Sequence, residues 1–161
     1  MNYAGIVLSG LPASGKSSLA RELSRVCGWQ IYSIGDELKS RWLLGNNGAS
    51  FEDYVTHLPS AAFLPVIETA RRNLETGNAV IDARYTPPYD DLNPFKIFVA
   101  ASLDLRIRRA LKRYEGKSFE EVRAILERLE EFELRMGRTL FGQDYDYRDP
   151  SHYNLVINSE I

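Results

Sequence analysis

Eight consecutive residues, Gly10-Leu11-Pro12-Ala13-Ser14-Gly15-Lys16-Ser17, place two glycines, a lysine and a hydroxyl at the spacing G-x-x-x-x-G-K-[ST]. Gly10 and Gly15 allow the backbone to curl until successive N–H groups converge on one point, which is how a chain without a dedicated cationic pocket cradles phosphate oxygens. A helix beginning at Lys16 would add its positive end. Lys16 is long enough to reach β- and γ-phosphates, and the Ser17 hydroxyl is a hard oxygen suited to Mg²⁺. Four fixed positions of this kind arise by accident in a chain of this length well under about 1% of the time. The sequence therefore predicts a nucleoside triphosphate and Mg²⁺ held by Gly10, Ala13, Ser14, Gly15, Lys16, Ser17 and Ser18.

Arginine placement is the second feature. Arg106, Arg109 and Arg113 are spaced i, i+3, i+7 and share one helix face; Arg128 and Arg135, seven apart, share a face of the next helix, with Arg138 nearby. Guanidinium groups match the three equatorial oxygens of a transferring phosphoryl group. Two such helices joined by a turn at Gly116 would make a cationic lid, so Arg113, Arg128 and Arg135 join Lys16 as candidate catalytic residues. Asp82 ends the apolar run Val80-Ile81, where open α/β sheets bind ligands, and could hold Mg²⁺ through water. Asp36 and Arg41 follow another short apolar run and occupy an equivalent place. His57 and His152 have no sequence partners suggesting a metal site or a triad and are read as structural, and Cys27 as packing. Asp144-Tyr145-Asp146-Tyr147 reads as a surface loop and Pro87-Pro88 as a turn or stiff connector.

These groups need a scaffold, and the apolar patterning supplies one. Tyr3 to Leu8 is a short, nearly all-apolar run, as a strand buried on both faces requires. Gln30 to Ser33, Asn78 to Ala83, Lys96 to Ala100 and Tyr153 to Asn158 are four further strand candidates. Between them lie helical patterns: Lys16 to Cys27, with Leu19, Leu23 and Val26 on one face and Gly28 as the stop; a helix through Leu38 and Trp42, broken at Gly45-Asn46-Asn47-Gly48; a short helix opened by Ser50 to Asp53; and Ala62 to Glu75, with Pro65 in its first turn. Ser102 can cap a helix burying Leu103, Ile107, Ala110, Leu111 and Tyr114, and Ser118 to Glu121 forms a capping box for one burying Phe119, Val122, Leu126, Leu129 and Met136. Strands alternating with helices predict an α/β three-layer fold: a five-stranded parallel sheet with helices on both faces and an Arg-rich helical lid. One domain over residues 1–161 is expected, with an acceptor-binding helical region at about 35–77 and the lid and its flanking helices at about 106–138.

Taken in order, the phosphate loop, Ser33-Ile34-Gly35-Asp36-Glu37-Leu38, the strand ending Asp82-Ala83-Arg84, the paired Arg-rich helices, Phe141-Gly142-Gln143-Asp144 and the closing Tyr153-Asn154-Leu155-Val156-Ile157-Asn158 resemble the short, archaeal-type cytidylate kinases, members of the P-loop nucleoside monophosphate kinase family. The resemblance implies ATP as donor, Mg²⁺, and CMP or dCMP as acceptor. It places Gly35-Asp36 beside the acceptor nucleotide and Arg84 on the acceptor phosphate. It also puts Lys39 or Arg41 in a second basic position there, and Arg128 and Arg135 in the lid-flanking helix. Ala83 stands where the family has glycine, and Tyr85-Thr86-Pro87-Pro88-Tyr89-Asp90-Asp91 replaces its Leu-Ala-Gly stretch. Two other readings stay open: a kinase acting on a hydroxyl of a small molecule or polynucleotide end, with Asp36 or Asp82 as base, and a nucleotide-binding protein without turnover.

Composition excludes more than it assigns. With 161 residues the chain can bury a proper core, and a net charge of −2 provides no bulk field towards nucleic acid or anionic lipid. The single cysteine cannot form an internal disulfide, which fits a reducing compartment. The run Ala4 to Leu8 is too short to span a membrane, and no basic segment precedes it. A cytoplasmic monomer is expected, with a nucleotide donor and a small-molecule acceptor as its partners, and nucleic acid only if the acceptor is a polynucleotide end.

Overall fold

The computed structural model describes residues 3–45 and 48–160; Asn46 and Asn47, expected within a helix break, lie outside them. Five strands form one parallel sheet in the order β2-β3-β1-β4-β5: β1 (Gly5–Gly10), β2 (Gln30–Ser33), β3 (Ala79–Asp82), β4 (Phe95–Ala100) and β5 (Leu155–Asn158). The apolar runs become strands because the sheet is covered on both sides. Val7 and Ile81 point into a cluster with Ala70 and Leu74, while their neighbours Leu8 and Val80 point into one with Ala20 and Val99. Helix α4 (Leu64–Glu75) thus packs one face and α1 (Lys16–Cys27) the other. Three helices, α2 (Ile34–Gly45), α3 (Phe51–His57) and α4, intervene between β2 and β3, and two, α5 (Leu103–Leu111) and α6 (Phe119–Phe141), between β4 and β5. Both interruptions leave the carboxyl ends of the strands and return to the sheet, so they face each other across β1 and β3.

Local chemistry sets the boundaries. Gly28 closes α1 in the left-handed conformation, at φ 68°. Pro65 falls in the first turn of α4, where its missing N–H costs nothing. Ser118 and Glu121 complete both bonds of a capping box at α6. At α3 only half of one forms: Ser50 Oγ accepts the Asp53 N–H, and the shorter Asp53 carboxylate bonds the Ser50 hydroxyl instead of its backbone. Ser102 precedes α5 without a side-chain capping bond; its N–H donates to Glu160.

Three expectations are corrected, those for Val26, for Cys27 and for the tract Asp144 to Tyr147. Val26 is 66% exposed and Cys27 is exposed, because the last turn of α1 is left uncovered by the sheet, so the helix's buried stripe ends at Leu23. Asp144 to Tyr147 is no surface loop. Tyr145 and Tyr147 are buried, and the intervening Asp146 turns outward to Arg148, so the alternation of acid and ring is an inside–outside alternation. Gly137 on α6 makes room for them, since a Cβ there would lie 3.1 Å from the rings of both Tyr145 and Tyr85. Pro87-Pro88 begins a 3₁₀ turn over Pro87–Leu92, which Arg71 of α4 fastens through Asp91.

The centre of the sheet depends on a second close approach. A Cβ at Gly5 would come within 2.5 Å of the Ala79 carbonyl oxygen and 2.7 Å of Leu74 Cδ1. Gly5→Ala is expected to destabilise the protein by about 1–3 kcal/mol through overpacking, read as a lower urea midpoint with an unchanged m-value. A midpoint equal to that of the unsubstituted protein would show that β1 and β3 can separate without cost.

Candidate active site

The phosphate loop joins β1 to α1. Gly15 has φ 95° and Ala13 φ 61°, so a non-glycine residue is held in the left-handed region, a strain of order 1 kcal/mol. Turning N–H groups inward turns carbonyls outward, and those acceptors need donors. Arg109 Nη1 donates to the Ser14 carbonyl at 2.9 Å and Ser159 Oγ to the same oxygen at 2.6 Å, while Arg106 Nη1 reaches the Pro12 carbonyl at 3.4 Å. Arg106 is buried and also bonds the Ala101 carbonyl and Glu130. This corrects the expectation that the arginine face of α5 is a lid. Two of its three members brace the outside of the loop, and only Arg113, a further turn along, lines the cleft.

Inside the loop, Lys16 Nζ is paired with Asp82 Oδ1. Asp82 is 2% exposed at the end of β3, beside Leu8 on one neighbouring strand and Ser33 on the other. Its second oxygen accepts from Ser33 Oγ at 3.4 Å, and Ser17 also hydrogen-bonds to it. Burial alone would raise the Asp82 carboxyl; the Lys16 ammonium, with Ser17 and Arg84, overrides it and holds the group below the usual carboxylate range. Burial pulls Lys16 the other way, below the ordinary lysine value, against the attraction of Asp82. Ser17 and Asp82 present hard oxygens side by side, a donor set that fits a Mg²⁺ held mainly by phosphate oxygens and water. Ser14 Oγ is buried at the loop's centre with no hydrogen-bond partner among the described residues, an open polar position in a site built for a polyanion.

Beyond Asp82 the chain turns at Ala83 and presents Arg84 to the same cleft, of about 860 Å³. Arg84 Nη2 lies 2.7 Å from Glu133 Oε1 of α6, its guanidinium stands 5.7 Å over the Tyr147 ring, and its carbonyl accepts from Ser9 Oγ. Nη1 is buried without a partner among the described residues. Burial raises the Glu133 carboxyl, with Arg84 opposing it. One wall of the cleft carries Leu38, Trp42, Phe51, Val55, Phe63 and Ile67 from α2, α3, α4 and the turn before α4; the other carries Leu126, Leu129, Phe132 and Glu133 from α6.

The structure brings Ala13 to Ser18, Asp36, Asp82, Arg84 and Arg113 to this one cleft. Gly10 lies behind it, where a Cβ would meet the Val99 carbonyl at 2.4 Å. Lys39, not Arg41, lines the cleft; Arg41 is turned to Glu37 along α2. Arg128 bridges to Asp53 of α3 at 3.1 Å, and Arg135 pairs with Glu131 on an exposed face. Neither lines the cleft, because α6 turns its apolar stripe towards it: Arg128 spans to the opposite wall and Arg135 faces solvent. Sequence reasoning missed Glu133, and the helical period held the clue: it falls seven after Leu126 and four after Leu129, an acid on an apolar stripe. It also missed the contact between Tyr114 and Glu52 that, with Arg128–Asp53, joins the two walls.

A model of the cytidylate kinase-like family matches residues 38–161, well over half of the chain. A cytidylate kinase of Pyrobaculum aerophilum is 32% identical over 161 residues, covering 96% of this chain and 83% of that protein. One of Methanothrix thermoacetophila is 32% identical over 158 residues, covering 96% and 87%. Among solved structures, shikimate kinase from Bacteroides thetaiotaomicron superposes with a TM-score of 0.56 at 19% identity, covering 96% of this chain and 85% of that one. A gluconokinase from Sinorhizobium meliloti gives 0.58 at 18%, covering 100% and 86%. These structural likenesses carry the fold, and no helix among the described residues is long and apolar enough to cross a membrane.

Proposed function

Because the chain belongs to the cytidylate kinase-like family, and is a P-loop kinase by that membership, we propose that it transfers the γ-phosphoryl group of ATP to CMP or dCMP, giving the diphosphate and ADP. The observation that carries this reading is that Lys16 and Arg84, the second with one buried guanidinium nitrogen unpartnered among the described residues, face one cleft from adjacent strand ends.

The phosphate loop receives the triphosphate on its inward N–H groups, with Arg106 and Arg109 keeping it in shape from behind. Lys16 exchanges Asp82 for β- and γ-phosphate oxygens, which frees the carboxylate. Ser17 and Asp82 would hold Mg²⁺, which when bound offsets charge between the two phosphates. The acceptor phosphate meets Arg84, and its nucleoside lies towards Asp36, Lys39 and the aromatic wall, within the region at about 35–77. A phosphate monoester has its second pKa at about 6, so the nucleophile is already an anion near neutral pH and no base is needed. That suits a floor whose carboxylates, Asp82 and Glu133, are both engaged by cations. Leu126, Leu129 and Phe132 of the lid region, about 106–138, exclude water over the reacting groups.

The direct test presents radiolabelled ATP with a panel of nucleoside monophosphates and hydroxyl compounds, and asks which product carries label. Label on CMP or dCMP supports the reading; label on a hydroxyl compound alone replaces it. The arginines separate as well. Arg113→Ala is expected to lower kcat about tenfold, the weight of one charge-assisted hydrogen bond. Arg135→Ala should leave kcat and both KM values unchanged, since its guanidinium is spent on Glu131 in solvent. Steady-state kinetics that ranked the two in the opposite order would mean that α6 rotates on binding.

A further inference from the structure

The floor of the cleft alternates in charge. Lys16, Asp82, Arg84 and Glu133 follow one another as two cations and two carboxylates, and each cation is influenced by both carboxylates. For a site that must take up phosphates this is an unexpected balance, because the residue closest to Arg84 is itself an anion. Glu133 is no surface partner. Its side chain is 15% exposed, Oε1 sits 2.7 Å from Arg84 Nη2, Oε2 accepts the Tyr147 hydroxyl at 3.2 Å, and the Tyr85 hydroxyl pins its backbone carbonyl at 2.6 Å. Its carboxylate uses one prong of a fork that has two, and the other, Nη1, is buried and unmatched among the described residues. A phosphate dianion can take both prongs at once. It cannot do so with Glu133 in place, since two anions on one desolvated guanidinium repel each other.

We infer that Glu133 determines acceptor specificity as a resident anion on the Arg84 seat, displaced by a phosphate dianion and left in place by an uncharged acceptor. A nucleoside or sugar hydroxyl brings no charge to compete for Arg84, so the seat stays closed to it. The exchange is coupled to the donor side through α6. Glu130, one turn before Glu133, holds Arg106, which in turn holds the Pro12 carbonyl of the phosphate loop. Glu133 acts here through Arg84 and is a positioning residue. The inference rests on the reading that the acceptor is a monophosphate.

The experiment is calorimetric titration of the full chain with inorganic phosphate and with CMP, in the unsubstituted protein, in Glu133→Gln, and in Glu133→Gln combined with Arg84→Ala. Glutamine keeps the shape and removes the charge, so both ligands should bind at least about tenfold tighter to Glu133→Gln. The gain should vanish in the double variant, and the KM for CMP should fall along with the dissociation constant. Should Glu133→Gln not fold, Glu133→Asp withdraws the carboxylate by one methylene and should also tighten phosphate binding. Unchanged or weaker phosphate binding in the folded variant, the result of a merely structural role, overturns the inference. The acceptor reading fails separately: phosphate that tightens on Glu133→Gln while the unsubstituted protein never labels a monophosphate leaves the seat standing and removes CMP from it.

Discussion

Lys16→Ala is expected to cut phosphoryl transfer by about 10²- to 10³-fold, the cost of removing one preorganised charge from the transition state. Lys16 lies at the first position of α1, one turn before Ala20 on the same face, but its side chain lines the open cleft rather than the apolar cluster, so its loss opens no cavity in the core. It does strip a buried carboxylate of its cation. Asp82 keeps hydrogen bonds from Ser33 and Ser17, so the variant should fold, with a lowered Tm that Mg²⁺ partly restores. Far-UV circular dichroism establishes the fold, and the labelled-ATP assay reads the loss. Activity within about threefold of the unsubstituted protein, in folded material, would remove Lys16 from the transition state.

Arg84→Lys should raise the KM for the acceptor about 10- to 100-fold while leaving the KM for ATP close to its original value. An ammonium keeps the charge but loses the fork, and with Glu133 beside it a single nitrogen serves either the carboxylate or the phosphate. The Tyr147 ring, 5.7 Å from the guanidinium, also loses its delocalised cation. Asp36→Asn provides the contrast. For a monophosphate acceptor it should alter which nucleoside is preferred; for a hydroxyl acceptor that used Asp36 as base it should collapse kcat with acceptor affinity kept. An Arg84→Lys enzyme with unchanged acceptor KM and kcat would take the phosphate off this residue.

What could be read from the sequence was what neighbouring residues determine among themselves. The phosphate loop is eight contiguous residues whose geometry follows from their own glycines. The buried strands announce themselves because both faces must be apolar, and Ser118 and Glu121 find each other across a single turn. The difficulty began where a side chain's role depends on what its helix packs against. Arg106 and Arg109 share a face with Arg113 in any helix, but only the docking of α5 beneath the loop turns two of them to carbonyls and leaves the third for the cleft. Arg128 and Arg135 look catalytic while α6 is an isolated helix; burying Leu126, Leu129 and Phe132 swings them away. Tyr147 is surrounded by charged residues in sequence and by Arg84, Glu133 and Tyr85 in space, a reversal that residues 63 positions apart (147 less 84) cannot signal locally.

The order of the strands also fixes an order in time. β1 lies between β3 and β4, pairing Gly5 with Ala79 and Gly10 with Val99, so neither of its neighbours exists when the ribosome has just released it. The interval between making Gly10 and making Val99 is 89 residues (99 less 10), roughly 4 to 18 s at ordinary elongation rates. Through that interval Val7 and Leu8 are without the sheet that later hides them, and a nascent chain in this state offers an apolar segment to chaperones. The phosphate loop, made before either helix or strand that braces it, has its outward carbonyls satisfied only after α5 has supplied Arg106 and Arg109 and the chain beyond β5 has delivered Ser159. Nucleotide in the surrounding solution is therefore a poor rescue for a chain stalled before β5, because Ser159, one of the donors that brace the segment gripping it, lies beyond that point.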